Sequence, residues 1–496
     1  MSGPGPSADR DAAPPIELEP VDHGRLARGF SVQLLGRGVS LVLSVVSLTL
    51  TVRYLGIDDY GVLTAVVVFA GVFDAFSDIG LSTVVVRRVS TGKGDLERLV
   101  GLNLATSLTY AVPAWAIATT AGFLVYTGRP DYQLGVAIVG SSVLFRAVAT
   151  CLDPVLQVAS RFGPLALSDI VGRVLALLLM VVSIGLGLGL VAFFSVQVVP
   201  AVARLLIQGL VVRGMGRYRP VFHLRDILSL LREGVPLAAI ALIGVLYYRA
   251  DGVVLSLTTS ESEVGSYGLG YRIATTLAVI PLLFGATVFP TLARTYALSL
   301  ADFRAFATKA VEAMTFVGIT VALFGYVFAP DIVGLLTSPG EAPSATGAAR
   351  LLFVASALGF LNLLLSQCLI AAHDQRFLVG VSMAVLVANV GLNVGLDGRY
   401  GAVGAGTALV ITEVISVAVA FARLSHSTGC PVPVSYAARL AAAAAATLGA
   451  WSLTSERGPL VLVPLLGLTF LVGLVAAGPL RPAQARALIA LVRPRS

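Results

Sequence analysis

Charged residues are scarce in this 496-residue chain: they make up 12% of it, where a soluble domain carries roughly a quarter. That deficit, together with 57% hydrophobic residues and a mean hydropathy of +0.90, excludes a water-soluble globule. Cysteine is nearly absent too. Cys151, Cys368 and Cys430 lie far apart and at no zinc or redox spacing, so neither a disulfide nor a bound metal is expected. The four histidines, His23, His223, His373 and His426, fall in polar tails or linkers, which excludes a histidine cluster inside the apolar runs. No loop is large enough for a folded soluble domain. The basic residues behind the formal charge of +7 are scattered through short loops and form no single patch, so nucleic acid is not an expected partner.

What the chain has is apolar runs. A window of about 19 residues finds about 14 candidate spans, near 29–52, 61–86, 100–126, 132–152, 164–188, 191–212, 234–257, 264–289, 306–329, 351–371, 377–395, 401–422, 434–451 and 460–477. Residues 1–24 are rich in Pro, Gly, Ser, Asp and Glu and read as a disordered cytoplasmic tail; the apolar run that follows is too long, and lacks the cleavage signature, for a signal peptide. With that tail inside, about 23 of the 34 Lys and Arg fall in cytoplasmic segments and about 5 in external ones, so both termini are expected in the cytoplasm. Between the sixth and seventh spans, 214–233 combines arginines with an amphipathic run, Ile227, Leu228, Leu230 and Leu231, expected to lie in the inner interface. After the last span, Arg486 and Arg493 flank Leu488, Ile489, Leu491 and Val492, as either a second interfacial segment or a solubilising tail.

The functional clue is charge inside the apolar runs. A mid-membrane charge costs at least ~2.5 to 3.5 kcal/mol, so such residues usually face a bundle interior or a watery cavity. The spans hold Arg37, Arg146, Arg173, Arg204, Arg249 and Arg272, with Asp74, Asp78, Asp169, Asp251 and Glu413. Arg249 and Arg272 each sit eight residues from the external ends of the seventh and eighth spans, about 12 Å deep at the helical rise, so two guanidinium groups can converge at one level. Asp251, two positions from Arg249, points to another side of the helix and is not automatically its counter-ion. Asp169 and Arg173, four apart, are expected to neutralise each other. The alternative for each arginine is a structural ion pair between neighbouring helices. Asn362, Gln367, Asn389 and Asn393 could meet sugar hydroxyls or join helices, and Tyr247, Tyr248 and Tyr271 could stack on sugar rings or mark an interface.

The two halves look related. Tyr60-Gly61 matches Tyr267-Gly268 at an offset of 207, which also carries Arg87 onto Arg294; Arg161-Phe162 and Arg376-Phe377 each open the fifth span of their half. A six-span repeat with both halves starting inside is a parallel repeat, as in transporters that rock two lobes about a central site. The domains expected are a tail at 1–24, an N-lobe at 25–213, the linker at 214–233, a C-lobe at 234–423, two further spans at 434–478 and a cytoplasmic tail at 479–496.

The segments YLGIDDYG with downstream Gly80-Leu81 and Arg87-Arg88, YYRADGVVLS with EVGSYGLGYRI, and ANVGLNVGLDGRYGAVGAGTALVITE together resemble the polysaccharide and lipid-linked oligosaccharide flippases of the multidrug/oligosaccharidyl-lipid/polysaccharide exporter superfamily. The last segment resembles the family's junction between the eleventh and twelfth spans, with Asp397-Gly398 where the family more often has an Ile-Pro-type turn. The resemblance implies an all-α polytopic membrane protein of two pseudo-symmetric six-helix lobes plus two C-terminal helices. It also implies a transporter and no enzyme, flipping an undecaprenyl-type diphosphate-linked oligosaccharide from the inner to the outer leaflet of a bacterial cytoplasmic membrane by alternating access. The cargo's diphosphate suits arginine, whose planar fork stays charged when desolvated. Arg37, Arg146, Arg204, Arg249 and Arg272 are therefore the expected substrate-binding residues, the first three capturing cargo from the inside and the last two holding it as the outer gate opens. Glu413 and Asp251 are the ion-coupling candidates, for H+ or Na+, with no other cofactor expected. Expected partners are the lipid-linked substrate and membrane lipids, with a polysaccharide polymerase or glycosyltransferases as candidates; the lobes make a complete unit as a monomer. The alternatives are a cation-coupled drug or metabolite exporter of the same superfamily, which would favour an acidic cavity, a membrane glycan polymerase or ligase, for which Asp58-Asp59 is the nearest acid pair, and a transport-dead scaffold.

Overall fold

A computed structural model describes residues 23–159, 161–337, 342–454 and 459–476, with the side chains of 23–37 outside that description. The tail before residue 23, the segment after residue 476 and the second interfacial segment expected there lie outside the described residues. The N-lobe comprises α1 (His23–Val72), a 3-10 turn (Phe73–Ser77), α2 (Leu81–Ser90), α3 (Leu96–Val125), α4 (Pro130–Gly140), α5 (Ser142–Thr150), α6 (Asp153–Val158), α7 (Gly163–Gly185) and α8 (Leu190–Arg213). The C-lobe comprises α9 (Leu224–Thr258), α10 (Glu261–Leu277), α11 (Val279–Leu298), α12 (Leu300–Leu336), α13 (Ala342–Ala371) and α14 (Gln375–Thr428), and α15 (Val434–Thr454) and α16 (Pro459–Ala476) follow. The described residues contain no strand. In hydrocarbon every backbone group must be satisfied within the segment, and a helix does this for an uninterrupted apolar run.

Ten helical stretches among the described residues are long and apolar enough to cross a membrane, and the chain is a multi-pass membrane protein. Ten is fewer than the 14 spans read from hydropathy. Part of the difference lies at two corners of a single glycine each: α1 passes from the first expected span to the second through Gly56 (φ 77°, ψ 171°), and α14 joins the eleventh and twelfth through Gly401 (φ 55°, ψ −136°). Both backbones sit where L side chains are strained, so a helix can reverse there without a loop. The departure at Asp397-Gly398 makes no turn, because α14 runs on through both residues to Gly401. The Ala-rich α15 and the short described part of α16 are not among the ten. They pack on α12 through Leu323, Val327, Leu440, Leu466 and Phe470, and Arg350 lies 4.9 Å from the Tyr326 ring and 5.7 Å from that of Trp451.

The lobes meet at both ends. At one end the second half of α1 packs along α10, and one apolar cluster joins Val52, Tyr60 and Val66 to Leu255, Val264 and Tyr267. The approach is close: a Cβ at Gly61 would overlap the backbone carbonyl oxygen of Glu261 and lie 2.7 Å from its carbon, and one at Gly268 would lie 2.8 Å from the side-chain oxygen of Thr64. The repeat-related pair Gly61 and Gly268 thus stands on the two sides of one seam. At the other end the amphipathic run of the linker and the seventh span form one helix, α9, whose first turns pack Leu230 against Leu81, Val84, Leu99 and Val155 of the N-lobe. There Arg98 pairs with Asp226 at 2.6 Å, and Glu233 accepts from both Arg88, at 2.6 Å, and Arg87.

Candidate functional site

Between those two contacts lies a cavity of about 680 Å³, walled by α1, α7 and α8 of the N-lobe and α9 and α10 of the C-lobe. Arg173, Arg249 and Arg272 line it, and no Asp, Glu or Lys does among the described residues. Tyr60, Tyr248, Tyr267, Tyr271, Gln197 and five serines and threonines, Thr275 among them, add uncharged polar groups to the wall. The charge on the cavity wall is therefore cationic, set among aromatic, hydroxyl and apolar side chains.

The cations are held differently. Arg249 crosses from the C-lobe into the N-lobe, donating to the Val67 carbonyl at 3.2 Å and reaching Asp74 at 3.9 Å. It fits because Gly71 leaves room: a Cβ there would overlap the guanidinium. Asp74 sits on the 3-10 turn that interrupts the second span, and its same oxygen pairs with Arg146 at 2.7 Å. One carboxylate is thus shared by an arginine from each lobe. Arg146, expected to capture cargo from the inside, and Arg249, expected to hold it as the outer gate opens, thus meet on Asp74. Arg272 lines the cavity, and its guanidinium makes no hydrogen bond or ion pair among the described residues. Arg173 pairs with Asp169 at 3.3 Å, as its spacing predicts, yet also donates to Ser44 at 3.1 Å and faces the cavity. Arg204 does not line it; it pairs with Asp153 at 2.6 Å. Arg37 is helical, with its side chain outside the described residues.

Behind the C-lobe wall three carboxylates are buried, Asp251, Asp397 and Glu413. Asp251, 1% exposed, accepts from Tyr267 at 2.9 Å and from Asn393 at 3.2 Å, so it is not the counter-ion of Arg249. Asn393 also donates to Asn389, which donates to Thr412 at 3.4 Å. Asp397, fully buried on the same face of α14 one turn on, has both carboxylate oxygens without a partner among the described residues. Glu413 accepts from Tyr247 at 2.8 Å and Asn362 at 3.2 Å. Tyr267 therefore lines the cavity and binds Asp251 through its hydroxyl, and Tyr247 adjoins Tyr248, which is exposed and lines the cavity. The amides Asn362, Asn389 and Asn393 are engaged here, Asn389 and Asn393 fully buried and Asn362 half-buried. Asp58 and Asp59 are exposed beside the Gly56 corner.

Sequence reading missed Asp74 as the shared partner, Arg173 as a cavity residue and Asp397 as a buried acid. A signal for Asp74 was present, an intramembrane acid flanked by Gly71 and Gly80, but only the fold brings it to Arg249. The family model described as polysaccharide biosynthesis protein matches residues 26–296. No curated protein sequence matches the chain. Among solved structures, the fold resembles that of a lipid II flippase, MurJ, in an inward closed conformation, at TM-score 0.73 and 13% identity over 93% of this chain and 100% of that one. It also resembles an inward-facing multidrug resistance MATE family transporter of the MOP superfamily, at TM-score 0.61 and 16% identity over 82% of this chain and 99% of that one. A eukaryotic MATE transporter, AtDTX14, follows at TM-score 0.55 and 15% identity, over 82% and 99%. At these identities the likeness is one of fold.

Proposed function

The chain belongs to the polysaccharide biosynthesis protein family, with the fold of the exporter superfamily, and on that premise we propose that it flips a polyprenyl-diphosphate-linked oligosaccharide from the inner to the outer leaflet by alternating access. The observation that carries this reading is the composition of the cavity wall: three arginines and no carboxylate among the described residues. Such a wall suits an anion. Guanidinium forks hold two phosphate oxygens at once, and in a site screened from water the pairing is stronger than on a surface. Tyr248 and Tyr271 offer faces to sugar rings and Gln197 offers an amide to their hydroxyls, while the lipid tail stays in the bilayer.

In this mechanism the diphosphate competes with Asp74 for Arg146 and Arg249. Displacing that carboxylate unfastens the one side-chain link by which Arg249 holds an N-lobe acid, so cargo binding itself loosens the lobes. Arg272, unpaired among the described residues, then holds the anion as they part. Arg37 keeps its proposed role in capture from the inside; Arg204, already neutralised by Asp153, acts in holding the N-lobe together. Asp251 and Glu413 couple the motion to H+ or Na+: Asp251 is one hydrogen bond behind Tyr267 of the cavity wall, and Glu413 holds Tyr247, the neighbour of the wall's Tyr248. The protein works as a monomer in a bacterial cytoplasmic membrane with both termini in the cytoplasm, near the polymerase or glycosyltransferases that handle the same glycan. A cation-coupled drug exporter would want an acidic cavity, and this wall argues against it.

The test is native mass spectrometry of the protein gently extracted from its host, alongside the Arg249→Ala/Arg272→Ala double variant and a leaflet-flipping assay in proteoliposomes. The wild type should carry a polyprenyl-diphosphate glycan and the variant should lose both lipid and flipping. Normal flipping by the variant, or a wild type that carries no such lipid and binds a small cation saturably, would overturn the reading.

A further inference from the structure

The start of α9 and the linker before it present a face that no part of the transport mechanism uses. From Leu224 onward, exposed apolar residues recur on one side of the helix: Leu224 at 73%, Leu228 at 49% and Val235 at 52% exposure, with Phe222 at 70% just before it. Arg225 and Arg232, seven apart, follow Leu224 and Leu231 by one position and flank the same stripe, and both are exposed, as are Arg217 and Arg219 upstream. The far side is the one that packs: Leu230 is fully buried against the N-lobe, and Ile227 and Leu231, at the margin between stripe and packed side, are half-buried.

The charges are sorted by sign. Both acids of this stretch are turned inward and consumed, Asp226 by Arg98 and Glu233 by Arg87 and Arg88. Ser229 is likewise bonded to Arg88, at 2.8 Å. What remains outward is Arg217, Arg219, Arg225 and Arg232, none with an ion-pair partner among the described residues, beside bare apolar side chains. A surface that is cationic and apolar at once, on a helix that continues directly into a membrane span, fits an acyl boundary with negative headgroups above it.

We propose that this face is a binding surface for anionic phospholipid headgroups of the leaflet at which α9 enters the membrane. The apolar stripe seats among the upper acyl carbons, and the arginines reach the phosphates by extending outward from it. The occupant is a phospholipid because the arginine groups flank inserted apolar side chains, an arrangement that a soluble acidic protein could meet only by leaving Phe222 and Leu224 in water. The assignment does not depend on what the protein transports.

The experiment uses the full-length protein reconstituted in nanodiscs of equal phosphatidylglycerol and phosphatidylethanolamine, then released for native mass spectrometry. Wild type should retain phosphatidylglycerol in preference, in a salt-sensitive way, by roughly fivefold per engaged arginine. The variant Arg217→Gln/Arg219→Gln/Arg225→Gln/Arg232→Gln should lose at least roughly tenfold of that preference, and the four corresponding Arg→Lys changes, which keep the charge and control for folding, should keep most of it. Equal retention of the two lipids by the wild type overturns the proposal. So does a quadruple glutamine variant with undiminished preference, or capture of an acidic protein at these arginines in place of lipid.

Discussion

Adding one carbon at the α1–α10 seam should hold the transporter open. A Cβ at Gly61 would overlap the Glu261 carbonyl oxygen and lie 2.7 Å from its carbon and 3.1 Å from the Gly265 nitrogen; ordinary contact begins near 3.4 Å. The obstructing atoms are backbone, so no rotamer change relieves them, and Gly61→Ala requires the two helices to separate by roughly 1 Å, at the ~1–3 kcal/mol of an overpacked interface. That cost falls on the state in which the seam is shut and not on the one in which it is parted. The parted state should therefore gain about 5- to 150-fold in relative population. Gly265→Ala acts on the same seam, since its Cβ would overlap the Ile57 carbonyl, and the two changes should be less than additive. The assay is alkylation of Thr275→Cys, a cavity residue, by an impermeant maleimide added at the face that carries Gly56 and Gly401; the native Cys151, Cys368 and Cys430 are buried and contribute little background. Gly380→Ala, with open space around its Cβ position, is the control and should label like the parent. A well-folded Gly61→Ala protein that labels no faster than the control would refute the idea that this seam is the gate.

Asp74→Asn removes the carboxylate shared by Arg146 and Arg249, and should tighten binding of a polyprenyl diphosphate by about tenfold (~1.4 kcal/mol) while slowing its release, read by lipid titration and single-turnover flipping. Glu413→Gln keeps an acceptor for Tyr247 and should leave thermal stability within ~1 kcal/mol while abolishing the response of transport to an imposed proton or sodium gradient. A variant with a full gradient response would remove Glu413 from coupling. Arg204→Ala strands Asp153, whose side chain is 13% exposed, and should cost ~1–3 kcal/mol after discounting for the partial exposure of the arginine, seen as a lower melting temperature in detergent with cavity labelling unchanged.

The spans were legible because hydropathy reports what a bilayer demands of each segment separately. Arg173 and Asp169 were legible for a similar reason, as partners four apart on one helix, and the separation of Arg249 from Asp251 followed from their two-residue offset. Reading stopped where partners come from different helices. Nothing local to Arg249 announces Asp74, about 175 positions earlier; that pairing exists only because the lobes close. Asp397 beside Gly398 has the composition of a turn, but the reversal is made by Gly401, and the helix carries the acid into the interior. The tyrosines divide by one position: Tyr247 is buried on Glu413 and Tyr248 faces the cavity, a difference of 100° around α9 that two identical neighbours in a sequence do not reveal.

The single-glycine corners reach beyond transport. Because α1 and α14 reverse through Gly56 and Gly401 alone, and α9 passes to α10 through Thr259 and Ser260, that face of the molecule shows an antibody or a phage little chain on which to take hold. Tags inserted at those corners should break the fold they are meant to report. The turn at Gly187, where a side chain would meet nothing within 4 Å, is the place to insert one.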